Sequence, residues 1–331
     1  MTTCANAKLE EVRFAGKTFY VPSVEICGRT VVVTGKWIRT AQVKDEEVVE
    51  GVTVADPESF ITKLKESELK ADVFTFAQRP PETTPKYDYH WELENWAATP
   101  TTCFKDWWEN RLPQESRKNV RRAAKRGVVV RIVPFDDNLA NGVHRIYNET
   151  PVRGGRLFWH FGKDFETVRR ELATYLDRSE FIGAYWNEHL IGFIKMVYVD
   201  HVATLMHIIS MNEHYDKRPM NALIAKAVEL CEQKGISHLV YGQFIYGNNR
   251  QSSFLEFKRR NGFKQVNFPR YYIPLRLRGK VFVRLRLYRG LSGLIPEPIL
   301  QPLLNFRAWY CKAISQKPTL EDKKFAGVAQ R

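Results

Sequence analysis

Residues 181–209 read FIGAYWNEHLIGFIKMVYVDHVATLMHII, and this stretch decides the fold class. Apolar and β-branched residues fill three runs, at 181–186, 190–199 and 202–209, and short polar turns separate the runs. Runs of this kind joined by tight turns are typical of consecutive antiparallel strands. The stretch therefore predicts a three-stranded meander.

The residues around the meander continue the pattern of a mixed fold. Amphipathic helices are predicted before it, at 139–147 and 165–176. After it, a helix begins at Pro219 and stops at Gly235, because proline is favoured in the first helical turn and glycine just past the last. The segments that follow are a strand at 238–245, a helix at 252–261 and a strand at 263–268.

The first third of the chain repeats part of this order. Its β-branched runs predict three strands, at 18–22, 30–40 and 47–55. Asp56 is the expected cap of a following helix, and Pro57 its first residue. The later elements are strands at 72–77 and 89–98, a basic helix at 104–127 that breaks at Pro113, and a strand at 128–133.

Composition and charge bound the function classes. The 331 residues are 44% hydrophobic, which is enough for two cores and excludes a disordered chain. The net charge is +14, and the segments 116–126 and 270–289 carry six and seven basic residues with no acidic residue. Two basic bands on a nearly neutral body favour a polyanionic partner, which could be nucleic acid, anionic lipid or a phosphorylated substrate. Solvated helix faces are the alternative.

The cysteines and the apolar runs exclude further classes. The five cysteines are widely spaced and form no CxxC pair, so we expect no disulfide framework and no metal site. No uninterrupted apolar run reaches the length of a membrane span, and the first ten residues lack the pattern of a secretory signal. We therefore expect a cytoplasmic protein.

The element order, the basic stretch at 117–127 and the sequence FKRRNGF at 257–263 together resemble the GNAT acyltransferase fold in two tandem copies. This arrangement is similar to the Fem-type peptidyltransferases and the Fem-related acyltransferases of bacterial envelope biosynthesis. The resemblance covers roughly residues 15–275. It implies a mixed α/β (α+β) fold with a partial GNAT-like domain at 1–126, a GNAT acyltransferase domain at 127–274, and a basic and apolar extension at 275–331.

The chain departs from the ordinary acetyl-CoA-binding pattern at two places. The turn at 216–221 reads DKRPMN and lacks the glycines that bring backbone N–H groups to a pyrophosphate. Lys258 stands where such enzymes often carry a general-acid tyrosine. The resemblance then implies acyl-CoA or aminoacyl-tRNA as the donor substrate. The residues assigned to donor binding are Lys217, Arg218 and Met211.

Acyl transfer to an amine needs donors for the oxyanion that develops on the acyl carbonyl. The resemblance gives this role to Lys258, as an oxyanion or phosphate contact, although residues 258–260 could equally form one solvated helix face. Tyr246 is the second catalytic candidate. The residues assigned to the substrate on the same side are Tyr241 and Asn248.

The loop at 153–163, RGGRLFWHFGK, borders the acceptor site in such a fold. Its two arginines are expected to clamp a carboxylate or phosphate, its aromatic rings to stack on a sugar or base, and its histidine to accept a proton. The rings could equally be core residues, and the histidine a hydrogen-bonded structural group. The candidate residues of the loop are Arg153, Arg156, Trp159, His160 and Lys163.

The resemblance implies an enzyme that moves an acyl group from its donor to an amine of a cell-envelope precursor, an amino sugar or a peptidoglycan peptide, by direct attack. The alternative is a non-catalytic nucleic-acid-binding protein on a GNAT-like scaffold. Cationic and apolar residues alternate after Arg270, which predicts peripheral binding to an anionic membrane at its inner face, or else an extra helix packed on the core. A tRNA is the further partner implied.

Overall fold

The computed structural model describes residues 7–14, 17–79, 82–246 and 252–289. The strands are β1 (Lys8–Phe14), β2 (Lys17–Ile26), β3 (Arg29–Thr34), β4 (Thr40–Val43), β5 (Val73–Ala77), β6 (Trp91–Pro100), β7 (Val129–Val133), β8 (Val152–Arg153), β9 (Arg156–Leu157), β10 (Ser179–Trp186), β11 (His189–Val199), β12 (Val202–Ser210), β13 (His238–Gln243) and β14 (Lys264–Pro274). The helices are α1 (Pro57–Glu66), α2 (Phe104–Asp106, continued by a π-helical turn at Trp107–Arg111), α3 (Gln114–Lys125), α4 (Asp137–Tyr147), α5 (Phe165–Leu172), α6 (Pro219–Gln233), α7 (Ser253–Arg260) and α8 (Leu277–Arg284). Short 3-10 turns lie at Glu46–Val48, Leu176–Arg178, Tyr215–Lys217 and Leu287–Arg289.

One twelve-stranded sheet contains the same arrangement twice. Its order is β1, β2, β3, β4, β5, β14, β6, β13, β12, β11, β10, β7. Neighbours are antiparallel except for β4 with β5 and β12 with β13. In each half, four antiparallel strands are followed by a helix, α1 or α6, and then by a parallel fifth strand. The mixed α/β class and the partial repeat in the first third are thereby confirmed.

The two sets of strands exchange their last members. β6, from the first half of the chain, pairs with β13, and β14, from the second half, pairs with β5. β6 and β14 also pair with each other, from Ala98 with Lys264 to Trp91 with Tyr271. Each half thus supplies a strand to the other, and the domain boundary at 126/127 stays a prediction.

The predicted meander is present as β10, β11 and β12, and helices cover both of its faces. On β11, Ile191 and Met196 pack with α6, whereas Leu190 and Phe193 pack with α4 and α5. A strand that is buried on both faces reads as an almost continuous apolar run, which explains the composition of 190–199. Burial of each such side chain contributes roughly 1.5–3 kcal/mol to the free energy of unfolding, so the meander is a stable part of the fold.

The first third contains three errors of prediction. The predicted strand at 30–40 is two strands, β3 and β4, which are joined by a turn. Residues 47–55 do not form a strand, because the 3-10 turn Glu46–Val48 is followed by irregular chain. The alternation of apolar residues arises from packing in two places: Val48 packs against Val197, and Val54 packs in the core around α1. The edge strand β1, KLEEVRF, has no apolar run and is missing from the prediction for that reason.

The basic band at 270–289 divides among three elements. Its first residues complete β14, and the rest form α8 and a 3-10 turn against the sheet. The remainder of the predicted extension, at 290–331, lies outside the described residues, as does its apolar stretch at 291–313. In the part of the chain that the structure describes, no helix is both long and apolar enough to cross a bilayer.

Candidate functional site

The parallel strands β12 and β13 separate near the middle of the sheet. They pair only over 202–204 and 238–240, although β12 continues to Ser210 and β13 to Gln243. Strands that separate in this way leave backbone N–H and C=O groups available to a ligand. The carboxyl ends of parallel strands are also a common binding position in mixed sheets. This opening is the candidate site.

Lys258 lies on the β13 side of the opening. α7 begins after Ser252, whose hydroxyl accepts a hydrogen bond from the Leu255 N–H (3.2 Å). The Lys258 side chain is fully buried, and its ammonium donates a hydrogen bond to the backbone carbonyl of Gln243. The ammonium also lies over the rings of Tyr241 (4.7 Å), Tyr246 (4.8 Å) and Phe254 (5.5 Å).

The surroundings of Lys258 leave its charge incompletely compensated. Burial lowers the pKa of the ammonium to about 8. Within the described ranges no carboxylate forms an ion pair with it, so a carbonyl and aromatic faces are its partners. The alternative prediction of one solvated helix face at 258–260 holds for the exposed residues Arg259 and Arg260. It is wrong for Lys258, which is buried. A buried ammonium without a paired carboxylate can stabilise the negative charge of a bound ligand.

The rings of two tyrosines flank the ammonium, and each ring carries a hydroxyl that can donate a hydrogen bond. Burial raises the pKa of both Tyr241 and Tyr246, so the phenols stay protonated at neutral pH. Between them, Gly242 has a φ of 52°, and a Cβ there would lie 2.9 Å from the Tyr246 hydroxyl oxygen. Glycine therefore lets Tyr246 approach β13. Asn248, which was assigned to the same site, lies outside the described residues.

A buried charged network joins the opening to the first half of the chain. Arg270 on β14 donates to Glu46 and to Glu94, at 2.8 Å each, and the Gln243 side chain donates to Glu94 at 3.3 Å. Burial alone would lower the pKa of Arg270, but the two carboxylates outweigh it and raise it. The network fixes the turn Glu46–Val48 beside the strands that frame the site.

Glu47, on this turn, is a candidate acid–base residue that sequence analysis misses. Its side chain keeps solvent access, yet surrounding protein atoms desolvate the carboxyl and raise its pKa. Glu94 raises the pKa further, and Arg270 lowers it. After desolvation, the charge of Glu47 is the main influence that raises the pKa of Tyr246, so carboxyl and phenol share one neighbourhood. No local pattern marks Glu47, because tertiary packing brings it there.

The loop between α4 and α5 borders the β12 side of the opening. Arg153 donates to the Ser210 carbonyl at the end of β12 (2.7 Å) and to Glu149 (2.6 Å). Lys163 forms an ion pair with Glu171 (2.6 Å). Both cations therefore hold the loop onto the fold, and their contacts with substrate stay predictions.

The other residues of this loop divide between the core and the surface. His160 stacks on Tyr147 with ring centroids 4.1 Å apart, and Tyr147 shares a hydrogen bond with His207 (3.3 Å). Burial is the main cause that lowers the pKa of His160 to about 3, so its imidazole is neutral and a weak base. Arg156 and Trp159 are exposed. The predicted proton transfer by His160 therefore has little support from its surroundings.

Two of the three predicted donor residues, Lys217 and Arg218, lie at the start of α6. Arg218 precedes this helix with a φ of 59°, a conformation that favours glycine. No side chain caps the start of α6 among the described residues, so its first N–H groups remain available. The Lys217 ammonium lies 4.3 Å from the centre of the Trp186 ring, and Met211 packs partly buried beside α4 and α5.

The opening thus brings Lys258, Tyr241 and Tyr246 together, and the charge of Glu47 raises the pKa of Tyr246. A buried cation, protonated hydroxyls and a carboxyl of raised pKa are groups that can stabilise an oxyanion and move a proton. Among the residues that the structure describes, no group of three or more His, Cys, Asp or Glu could hold a metal ion.

Comparison with solved structures shows the same fold. FemX aligns over 85% of this chain and 90% of its own, with a TM-score of 0.53 and 12% identity. L-PGS from Bacillus licheniformis aligns over 83% and 90%, with a TM-score of 0.52 and 14% identity. The C-terminal domain of a putative lysylphosphatidylglycerol synthetase from Agrobacterium fabrum aligns over 81% and 88%, with a TM-score of 0.52 and 13% identity. The predicted Fem-like fold is confirmed, because the chain shares the fold of FemX and its sheet contains the same arrangement twice. No protein-family model and no curated protein matches the sequence.

Proposed function

We propose that the protein is an acyltransferase that transfers an acyl group to an amine in the opening between β12 and β13. Lys258 carries this proposal, because it is a fully buried ammonium with incomplete compensation, placed beside separated strands. The fold shared with FemX and L-PGS supports it.

In the proposed reaction a neutral amine attacks the acyl carbonyl carbon directly. A C–N bond forms, the carbonyl oxygen becomes an oxyanion, and the ester or thioester bond to the donor breaks as the oxyanion collapses. The Lys258 ammonium and the hydroxyls of Tyr241 and Tyr246 stabilise the oxyanion. Glu47 accepts the proton that the attacking nitrogen loses, and the leaving oxygen or sulfur takes up a proton.

The proposed donor is an acyl-CoA or an aminoacyl-tRNA. Both carry phosphates, and the start of a fifteen-residue helix such as α6 attracts anions through its N–H groups and its dipole. Lys217 and Arg218 adjoin this helix start and are proposed to pair with the phosphates, with Met211 beside the acyl chain. This placement is supported because α6 follows the end of β12, where the strands open.

The proposed acceptor is the amine of a cell-envelope precursor, either an amino sugar or a peptidoglycan peptide. Arg156 and Trp159 support this acceptor class, because a guanidinium and an indole on one exposed loop suit a carboxylate or phosphate next to a sugar ring. A tRNA and an anionic membrane surface are proposed as further partners. The proposed place of action is the cytoplasm, at the inner face of the membrane.

One observation favours a second candidate, a non-catalytic nucleic-acid-binding protein. Lys118, Arg121 and Lys125 are exposed along α3 and form a basic surface, in which the Arg121 guanidinium lies 5.6 Å from the centre of the Trp108 ring. Such a surface suits phosphate contacts.

Native mass measurement of the full chain with acyl-CoA and with charged tRNA tests the proposed function. We expect a one-to-one complex with one of the two donors, followed by an amide product when an amine acceptor is added. The matched pair Lys258→Ala and Arg259→Ala removes one cation each from α7, and only the first should slow product formation by about 100-fold or more. Absence of any donor complex, together with salt-sensitive binding of arbitrary DNA or RNA, would instead support the second candidate.

A further inference from the structure

Helix α8 has one face fixed on the sheet and another face exposed. Gly279 and Val283 are buried, and a Cβ on Gly279 would lie 2.0 Å from the Asp72 carbonyl oxygen, so the helix backbone packs directly against the chain before β5. The outward residues repeat every four positions and therefore form one stripe. They are Leu277, Val281 and Leu285, which are 78%, 57% and 58% exposed.

Cationic side chains flank this apolar stripe. Arg276, Arg278, Lys280 and Arg284 are all exposed. In the described ranges no carboxylate forms an ion pair with any of the four, in contrast to Arg289, which pairs with Glu92 at 2.6 Å. The corner of the molecule around α8 is therefore strongly positive and apolar at the same time.

An exposed tryptophan lies close to the same corner. Trp37, in the turn between β3 and β4, is 89% exposed and follows Lys36, which is also exposed. The turn is tied to Asp72, because the Asp72 N–H donates to the Arg39 carbonyl (2.7 Å) and the Arg39 N–H donates to the Asp72 carboxylate (2.9 Å). Asp72 is the residue on which α8 packs, so turn and helix belong to one surface.

We propose that α8 and the Trp37 turn form a docking surface for an anionic lipid bilayer. Apolar side chains that stand out between cations can enter the acyl boundary while the cations pair with lipid phosphates. Tryptophan is favoured at the level of the lipid headgroups. A nucleic acid would satisfy the cations but leave the Leu277–Val281–Leu285 stripe without a partner. This docking does not depend on the proposed acyl transfer, since α8 contributes no residue to the opening.

Vesicle co-sedimentation of the full chain tests this surface. The vesicles are phosphatidylcholine alone, or equal parts of phosphatidylcholine and phosphatidylglycerol. We expect binding to the anionic vesicles only, with loss at high salt because the Debye length shrinks. Arg278→Glu with Lys280→Glu should weaken binding by at least about 30-fold, since each cation near an anionic surface is worth about 1 kcal/mol. Leu277→Ser with Val281→Ser should weaken it at least about 10-fold, because two apolar side chains no longer enter the bilayer.

The matched control is Arg145→Glu on α4 with Arg170→Glu on α5, which makes the same change of net charge on two helices without an exposed apolar stripe. Its binding should stay within about threefold of the unmodified protein.

Four results would overturn the docking surface. The unmodified chain could fail to bind anionic vesicles while remaining monomeric, which would mean that the chain at 290–331 covers the stripe. It could fail to bind them as a dimer in native mass measurement, which would mean that a second copy covers it. The control could lose as much binding as the α8 charge variant. Finally, RNA binding could depend on the α8 cations while vesicles are not bound at all.

Discussion

Two lysines in the described part of this protein are fully buried, and their surroundings differ. Lys195 on β11 donates hydrogen bonds to the Leu172 carbonyl (2.8 Å), the Thr174 hydroxyl (2.9 Å) and the Thr174 carbonyl. Lys258 on α7 donates to the carbonyl of Gln243 and otherwise faces aromatic rings. Burial lowers the pKa of both ammonium groups to about 8.

Burial and pKa therefore do not separate a structural lysine from a functional one in this fold. An ammonium has three donors, and those of Lys195 are all used by oxygens at the end of α5. Lys258 keeps donors that no acceptor of the described residues uses, and it lies where two strands separate. Hydrogen-bond satisfaction, rather than burial, distinguishes the two.

Removal of Lys258 tests the functional role of this lysine most directly. Lys258→Ala should lower kcat by about 100- to 1,000-fold, the range for loss of one oxyanion donor. The variant should still fold, with a lower melting temperature because a buried side chain and its hydrogen bond to the Gln243 carbonyl are lost. Steady-state kinetics and thermal unfolding would measure both effects, with Arg259→Ala as the exposed control. Retention of the unmodified kcat would leave Lys258 as a second structural lysine.

Glu47 provides a second test of the proposed reaction, as its base. Glu47→Gln should lower kcat by about 100-fold, because the amide cannot accept the amine proton. The pKa of Glu47 is raised and its ionised form is the base, so the rate of the unmodified enzyme should fall as the pH drops through that pKa. The variant should lack this acidic limb. Glu68→Gln, at another exposed carboxylate of the first half, should change neither kcat nor the limb.

Removal of Lys195 tests the structural side. Lys195→Met should lower the free energy of unfolding by about 1–3 kcal/mol, because buried carbonyls at the end of α5 lose their donor. Chemical denaturation measures this change, and the folded variant should keep its kcat. A large loss of kcat with unchanged stability would reverse the assignment of the two lysines.

Two arginines repeat the contrast on a smaller scale. Arg156→Ala should raise the KM for the acceptor about 10-fold with a smaller effect on kcat, as expected when a charged contact to substrate is lost. Arg153→Ala should instead destabilise the fold, because Arg153 joins Glu149 to the end of β12. Equal KM values for Arg156→Ala and the unmodified enzyme would remove Arg156 from the acceptor site.

The smallest expected effect is a basic limb in the pH profile. Lys258 acts as a cation, so kcat should halve at about pH 8 and keep falling above it. The free energy of unfolding should change in the opposite direction and rise over this pH range. The reason is that the unfolded chain binds more protons than the native state between about pH 8 and the ordinary lysine pKa. Lys195→Met should keep the kinetic limb and lose part of the rise in stability. A profile that stays flat to pH 10 would mean that the charge of Lys258 is not used.

Local patterns predicted most of the elements but few of the side-chain partners. The meander and α6 were predictable because their apolar periods, Pro219 and Gly235 are short-range signals. The exchange of β6 and β14 was not, because pairing between strands far apart in sequence leaves no local pattern. Glu47 was missed for the same reason, since its turn was read as a strand.

At the site, the sequence identified candidate residues but did not predict the environment of their side chains. The sequence identified Lys258 as a candidate but left open whether it faces solvent, and only the packing of α7 on β13 shows it to be buried. Arg153 and Lys163 were expected at the substrate, whereas Glu149 and Glu171 engage them within the fold. A sequence shows which cations exist, but not which carboxylates fold against them.

The strand exchange has a consequence for how the chain is made. During synthesis β5 leaves the ribosome long before its partner β14, so the first half exposes an unpaired sheet edge until β14 is made. In the same way, β6 lacks its partner β13 until the second half is made. Contacts between segments so distant in sequence form slowly. A chain divided at the predicted boundary 126/127 should therefore give two fragments that are each insoluble alone. The two fragments should form a soluble complex when they are expressed together.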